Sequence, residues 1–178
     1  MTSKQYIFTD CDLDGAGAYL TYRWVTGISD IPYTVCRVNE LYAKVKNFLR
    51  DNKFEDYDRV LFFDLDTSNT KLRDLIDKPN VTIVDHHTSN DTTSVKYQHA
   101  EVIVKPSTST CRLIYTDINT SQLTPEQKLF IALVDDYDSY ALKVPMSKQL
   151  NTVFWSYQGD RLQKLYRDFP KGFTGFNK

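Results

Sequence analysis

The stretch YIFTDCDLDGAGAYL, residues 6–20, joins a short apolar run to three alternating aspartates, a glycine and a helix-forming segment. YIFT (6–9) has the aromatic and β-branched content of a buried strand. From Gly15 to Val25, the residues Ala16, Tyr19, Leu20 and Arg23 fall at helical spacing. A strand that ends in acidic turn residues and passes directly into a helix opens a βαβ unit. The same pattern recurs downstream. YTVCRV (33–38) reads as a second strand, followed by Leu41, Val45, Phe48 and Leu49 at helical intervals. RVLFF (59–63) is a third, with a short helix around Leu72, Leu75 and Ile76. VTIV (81–84) is a fourth and EVIV (101–104) a fifth. Nearly continuous apolar runs are what strands buried on both faces of a parallel sheet require. The alternation predicts an α/β fold: a doubly wound, mostly parallel sheet of about five strands with flanking helices.

Beyond residue 106 the pattern turns helical. The hydroxyls of Ser107 to Thr110 precede CRLIYTDI as N-cap candidates. Thr124-Pro125-Glu126-Gln127 is a cap and first turn with Pro at the first helical position, leading into LFIALV. The expected organisation is one domain over residues 1–142, with a basic, aromatic, helical extension over 143–178 packed on it.

The chain has 178 residues and a net charge of −1, which does not announce a nucleic-acid binder. The distribution is uneven: from Lys143 onward there are seven Lys/Arg against two Asp/Glu. An acidic body with a basic tail suits cations bound in the body and anions reached by the tail, but on charge alone a solvated basic surface is the favoured reading. Cys11, Cys36 and Cys111 are widely spaced and form no CxxC, against a disulfide scaffold or a thiolate zinc site and in favour of a reducing cytoplasm. No apolar stretch approaches the roughly 20 residues of a membrane span, and the first residues lack a signal-peptide core. Nothing in the sequence reports oligomeric state.

Four acidic clusters carry the chemistry. Asp10, Asp12 and Asp14 follow the first strand, Asp64 and Asp66 the third, and Asp85 with His86 and His87 the fourth. Asp135, Asp136 and Asp138 end the helix LFIALV. In an open parallel sheet ligands bind beyond the carboxyl ends of the strands, so three clusters meet at one edge. Gathering carboxylates is costly unless cations neutralise them. Oxygen donors with one imidazole suit Mn²⁺ or Mg²⁺, and a shared carboxylate is how a two-metal site is held. Rival readings exist for single clusters. DCDLDG resembles the start of a calcium loop, but its twelfth position is Thr21, not Glu. FFDLDTS resembles the nucleophile loop of haloacid-dehalogenase-type phosphatases, with Asp64 as nucleophile and Asp66 as acid/base, yet this leaves DCDLDG and DHH without a role. His99 has no acidic motif around it and reads as structural or surface.

In their order, the four clusters resemble the DHH phosphoesterase superfamily, which includes RecJ-type exonucleases, oligoribonucleases, cyclic-dinucleotide phosphodiesterases and family II pyrophosphatases. The resemblance spans residue 6 to about 140. It implies a metal-dependent phosphoesterase that hydrolyses a phosphodiester or phosphomonoester of a nucleotide or short single-stranded oligonucleotide by two-metal activation of water. The implied ions are two Mn²⁺, with Mg²⁺ as the alternative. The implied metal residues are Asp12, Asp14, Asp64, His86 and Asp136, with Asp64 shared between the ions and Asp10 as a further candidate. Asp85 would orient a histidine, and His87 would face the scissile phosphate. Ser109 and Thr110 would hold a phosphate at a helix start, or serve as an ordinary cap.

The departures from the family matter as well. Phe8 stands where pyrophosphatases and oligoribonucleases place a histidine, and Asp10 makes the first motif RecJ-like. Asp138 competes with Asp136. No glycine-rich GGGH-like motif follows Asp136, so the tail with Trp155, Tyr157, Arg161, Lys164, Tyr166, Arg167 and Lys171 would supply phosphate and base contacts instead, or else pack against the domain or mediate a dimer. A pyrophosphatase-like or haloacid-dehalogenase-like phosphatase, or a non-catalytic nucleotide-binding module, are the alternatives.

Overall fold

The computed structural model describes residues 3–88, 97–105, 108–118 and 122–176. Five strands form one all-parallel sheet: β1 (Gln5–Thr9), β2 (Tyr33–Val35), β3 (Arg59–Phe63), β4 (Val81–Asp85) and β5 (Glu101–Val104). Their spatial order is β2-β1-β3-β4-β5. Helices α1 (Leu13–Thr26), α2 (Val38–Asp51) and α3 (Thr70–Ile76) connect the strands, and α4 (Thr110–Leu113) runs into a π-helical turn at Ile114–Ile118. Three longer helices follow: α5 (Pro125–Asp138), α6 (Ser147–Ser156) and α7 (Arg161–Asp168).

Side chains along the central strands alternate between two cores, as the two-residue period of a strand demands. Ile7, Leu61, Phe63 and Val84 pack against α1, α4, α5, α6 and α7. Phe8, Val60, Phe62 and Ile83 pack against α2 and α3, with the rings of Phe8 and Phe62 stacked at 4.9 Å. The sheet is therefore covered on both faces, which is why its strands read as uninterrupted apolar runs. The edge strand expected over 33–38 stops at Val35: the Cys36 N–H still reaches the Thr9 carbonyl at 3.0 Å, but Arg37 already caps α2.

After β1 the chain leaves for one face through α1, and after β3 it leaves for the other through α3. The connections diverge between these neighbouring strands, and that divergence opens a crevice at their carboxyl ends. Residues 143–176 close one side. Leu150, Phe154, Leu162, Leu165, Phe169 and Phe173 sink into the same core as α1 and α5. The indole N–H of Trp24 binds the Pro170 carbonyl at 3.1 Å, and the Phe173 N–H binds the Glu126 carbonyl at 2.9 Å. The three cysteines are free. Among the described residues, no helix is long and apolar enough to cross a membrane.

Candidate metal centre

The acidic loop after β1 is folded tightly onto itself. The Thr9 hydroxyl donates to the Gly15 carbonyl at 2.6 Å, and the Asp12 carboxylate caps α1 by accepting from the Gly15 N–H at 2.9 Å. A Cβ at Gly15 would lie 2.6 Å from the Asp10 carbonyl oxygen and 2.9 Å from its nitrogen, so only glycine fits. Gly15→Ala is expected to displace the Asp10–Asp14 loop. Because the obstacle is backbone, the variant should lose at least about 2 kcal/mol of stability, read by chemical denaturation, together with divalent-cation binding, read by calorimetry.

The loop delivers Asp14 into the interior, where it is 2 % exposed. The carboxylate accepts the N–H groups of Thr110 (2.7 Å) and Cys111 (2.9 Å), which begin α4 and have no partner within their own helix. Asp64 ends the apolar run of β3 with φ 59°, a left-handed conformation that Asp tolerates better than most residues. Its carboxylate oxygen accepts from the Thr110 hydroxyl at 3.2 Å. Asp66, two residues on, instead accepts the Ser68 N–H at 2.8 Å and closes a turn.

The two histidines after β4 diverge. His86 turns inward, with Nε2 at 3.4 Å from Asp64, 3.4 Å from Asp138 and 3.8 Å from Asp14. His87 has a half-exposed side chain whose Nδ1 lies 2.8 Å from the fully buried Asp85 carboxylate and 3.7 Å from Asp64. The hydrogen bond to Asp85 raises the His87 pKa, against the opposing effect of burial.

The end of α5 sorts its three aspartates by direction. Asp135 accepts the Thr108 hydroxyl and both the N–H and hydroxyl of Ser109, at 2.7, 3.0 and 2.9 Å. Asp136, the expected ligand, is engaged by the chain that follows the helix. Tyr140 and Leu142 adopt left-handed conformations (φ 56° and 52°) and turn the chain back, so that the N–H groups of Lys143 and Val144 bind the Asp136 carboxylate at 2.8 and 3.0 Å. Asp138 is the residue that reaches the cluster, and its Oδ2 is buried without a hydrogen-bond partner. The structure thus brings Asp14, Asp64 and Asp138 around His86, with Asp12 lining the same cleft as Asp14 and Asp138, and it is Asp138 that stands where Asp136 was expected.

Ser109 and Thr110 are also placed differently from a phosphate cradle. Both are fully buried, and their hydroxyls are occupied by Asp135 and Asp64. They hold carboxylates in position. Ser107, which opens the same sequence stretch, lies outside the described residues, as do Ser89 and Asn90 beyond the histidines.

Burial drives the Asp14 and Asp64 pKa values well above the ordinary carboxylate range, and the neighbouring carboxylates push them further. Asp138 is raised for the same first reason, with His86 partly offsetting it. Among the described residues no Lys or Arg pairs with these three acids. Donor atoms of Asp14, His86 and Asp138 lie within 4.8 Å of one another, as do those of Asp64, His86 and His87. Hard oxygen donors, a shared imidazole, a buried carboxylate oxygen without a hydrogen-bond partner and clustered acids with no Lys or Arg paired to them among the described residues fit divalent cations.

The crystal structure of an uncharacterized protein from Helicobacter pylori G27 is similar over 86 % of this chain and 48 % of its own, with a TM-score of 0.64 and 16 % identity. A structure of exonuclease RecJ bound to manganese matches 93 % of this chain and 51 % of its own, with a TM-score of 0.51 and 19 % identity. At such identities the likeness is one of fold, and this chain spans about half the length of either protein. No curated protein sequence matches it. The profile of the DHH family, N-terminal domain, matches residues 4–136. That range begins just before β1 and takes in all of the acidic clusters up to Asp136, so the chain belongs to the DHH family.

Proposed function

We propose that this chain is a metal-dependent phosphoesterase acting on a phosphodiester or phosphomonoester of a nucleotide or short single-stranded oligonucleotide. The observation that carries this reading is the convergence of Asp14, Asp64, Asp138 and His86, with no Lys or Arg paired to these acids among the described residues. Asp12, Asp14, Asp64, His86 and Asp138 would hold two divalent cations, Mn²⁺ or Mg²⁺, with Asp64 shared and Asp10 nearby. When bound, such ions acidify water and neutralise charge on a phosphoryl group.

The protein's own groups supply the rest. Asp85 fixes the His87 ring through Nδ1 and favours its protonated form, leaving Nε2–H to donate to a phosphoryl oxygen. Thr110 and the start of α4 hold Asp14 and Asp64 in place, so the donors need not reorganise during the reaction. Purified protein stripped with EDTA and reloaded with Mn²⁺ should hydrolyse a generic aryl phosphodiester or a short oligonucleotide, and EDTA should abolish this. Hydrolysis of pyrophosphate alone would redirect the reading to a pyrophosphatase. Absence of metal-dependent hydrolysis of all three would defeat it.

A further inference from the structure

The helices after residue 143 wall the acidic loop after β1 from two sides. One cleft, of about 230 Å³, is lined by Asp12, Asp14 and Asp138 and by Asn151 and Trp155 of α6. The other, of about 270 Å³, is lined by Asp10, Cys11 and Arg161 of α7. Trp155 and Arg161 meet between the two, with the guanidinium carbon 4.7 Å from the indole ring centroid. Trp155 is 44 % exposed, an unusual state for the largest apolar side chain. The Nε of Arg161 is sealed from solvent and lacks a hydrogen-bond partner.

Four other aromatic and basic residues of this segment have structural employment. The Tyr157 hydroxyl and Arg167 bind Asp168, Tyr166 covers Arg23, and Lys164 binds the Gln158 carbonyl. Trp155 and Arg161 are distinguished by lining clefts that also contain the acidic loop after β1. An exposed indole stacked on a guanidinium matches a nucleobase and its phosphate, since stacking tolerates any base and the terminal guanidinium N–H groups donate to phosphate oxygens. It also places positive charge beside a centre whose carboxylates repel a polyanion.

We propose that Trp155 and Arg161 form a nucleotide subsite beside the metal centre: the indole stacks the base flanking the scissile bond, and the guanidinium binds that nucleotide's phosphate. The base must be unpaired to stack, so the ligand is a single-stranded oligonucleotide. The scissile bond rests on the phosphoesterase reading; the binding does not.

Trp155→Ala, Arg161→Gln and Arg161→Lys separate the two. Affinity for a fluorescently labelled tetranucleotide, DNA or RNA, is measured by anisotropy in Ca²⁺ and again in EDTA, and thermal melting confirms the fold of each variant. In Mn²⁺, kcat and KM are compared for the tetranucleotide and for an aryl phosphodiester that lacks a base. The Ala and Gln variants should weaken tetranucleotide binding and raise its KM about tenfold, with Lys intermediate, and the loss in kcat/KM should be at least about threefold larger for the tetranucleotide than for the aryl diester. If the variants bind the tetranucleotide as well as the native chain does, or the native chain does not bind it, the subsite is refuted. If binding depends on both residues but nothing is hydrolysed, the subsite stands and the phosphoesterase reading fails.

Discussion

Asp64→Asn is expected to lower metal-dependent turnover by about three orders of magnitude or more while raising the melting temperature of the metal-free protein. The amide keeps the shape of the side chain, can still accept the Thr110 hydroxyl, and tolerates the left-handed backbone at this position. What it removes is charge. A carboxylate shared between two cations contributes several kcal/mol to charge stabilisation, and each ~1.4 kcal/mol is a factor of ten in rate. Without metal the balance reverses. Asp64 is 1 % exposed among other carboxylates, so a neutral replacement relieves both desolvation and repulsion. A gain of ~1 kcal/mol corresponds to a rise of about 2–4 °C for a chain of this size. Asp66→Asn is the control: its carboxylate closes a turn onto Ser68, and an amide oxygen can do the same, so turnover should stay within about threefold. Equal losses in the two variants would instead favour a phosphatase that uses both aspartates as nucleophile and acid. A fully active Asp64→Asn would remove Asp64 from the site.

Divalent cations should stabilise the protein, and more so at alkaline than at acidic pH. Asp14, Asp64 and Asp138 all have native pKa values above the ordinary 3.8, with burial the first cause. The metal-free native state therefore retains protons that the unfolded chain has released. The contribution of these three groups to its stability is fully present at and below that ordinary value and is lost as pH rises through the raised ones. Cations bind the deprotonated carboxylates and offset the decline. At a hundredfold excess over Kd, Mn²⁺ should contribute about 2.7 kcal/mol, a shift of about 5–10 °C in scanning calorimetry. The shift should be larger at about pH 8 than at about pH 5.5, where protons compete for the same oxygens. Equal shifts at both values would mean that the raised carboxylates are not the ligands.

The parallel sheet was legible because the central strands β1, β3 and β4 are buried on both faces and the first four strands are separated by helix-period segments. Its edge was less so: Cys36 and Val38 continue the apolar run of β2 in sequence, but the chain has already turned into α2. The acidic residues at strand ends were legible for a related reason, because a strand's last residue in a parallel sheet has only one place to go. Asp136 and Asp138 show where this logic stops. Two residues apart on a helix point to opposite sides, and the reversal through Tyr140 and Leu142 that engages Asp136 depends on contacts made after the helix ends. One signal was available. Val134, one turn before Asp138, lines the same cleft, so the apolar stripe of α5 extended by four residues selects Asp138. The roles of Ser109 and Thr110 were not recoverable from sequence, since a hydroxyl at a helix start serves a carboxylate or a phosphate equally well.

The grip of α4 on Asp14 has a practical consequence. The amide protons of Thr110 and Cys111 each rest on one oxygen of a single carboxylate, remote in sequence but 2.7 and 2.9 Å away. Whatever alters the charge on that carboxylate must alter the shielding of these two protons. In an NMR spectrum they would act as a built-in electrometer, reporting protonation or cation capture at Asp14 without any substrate or label.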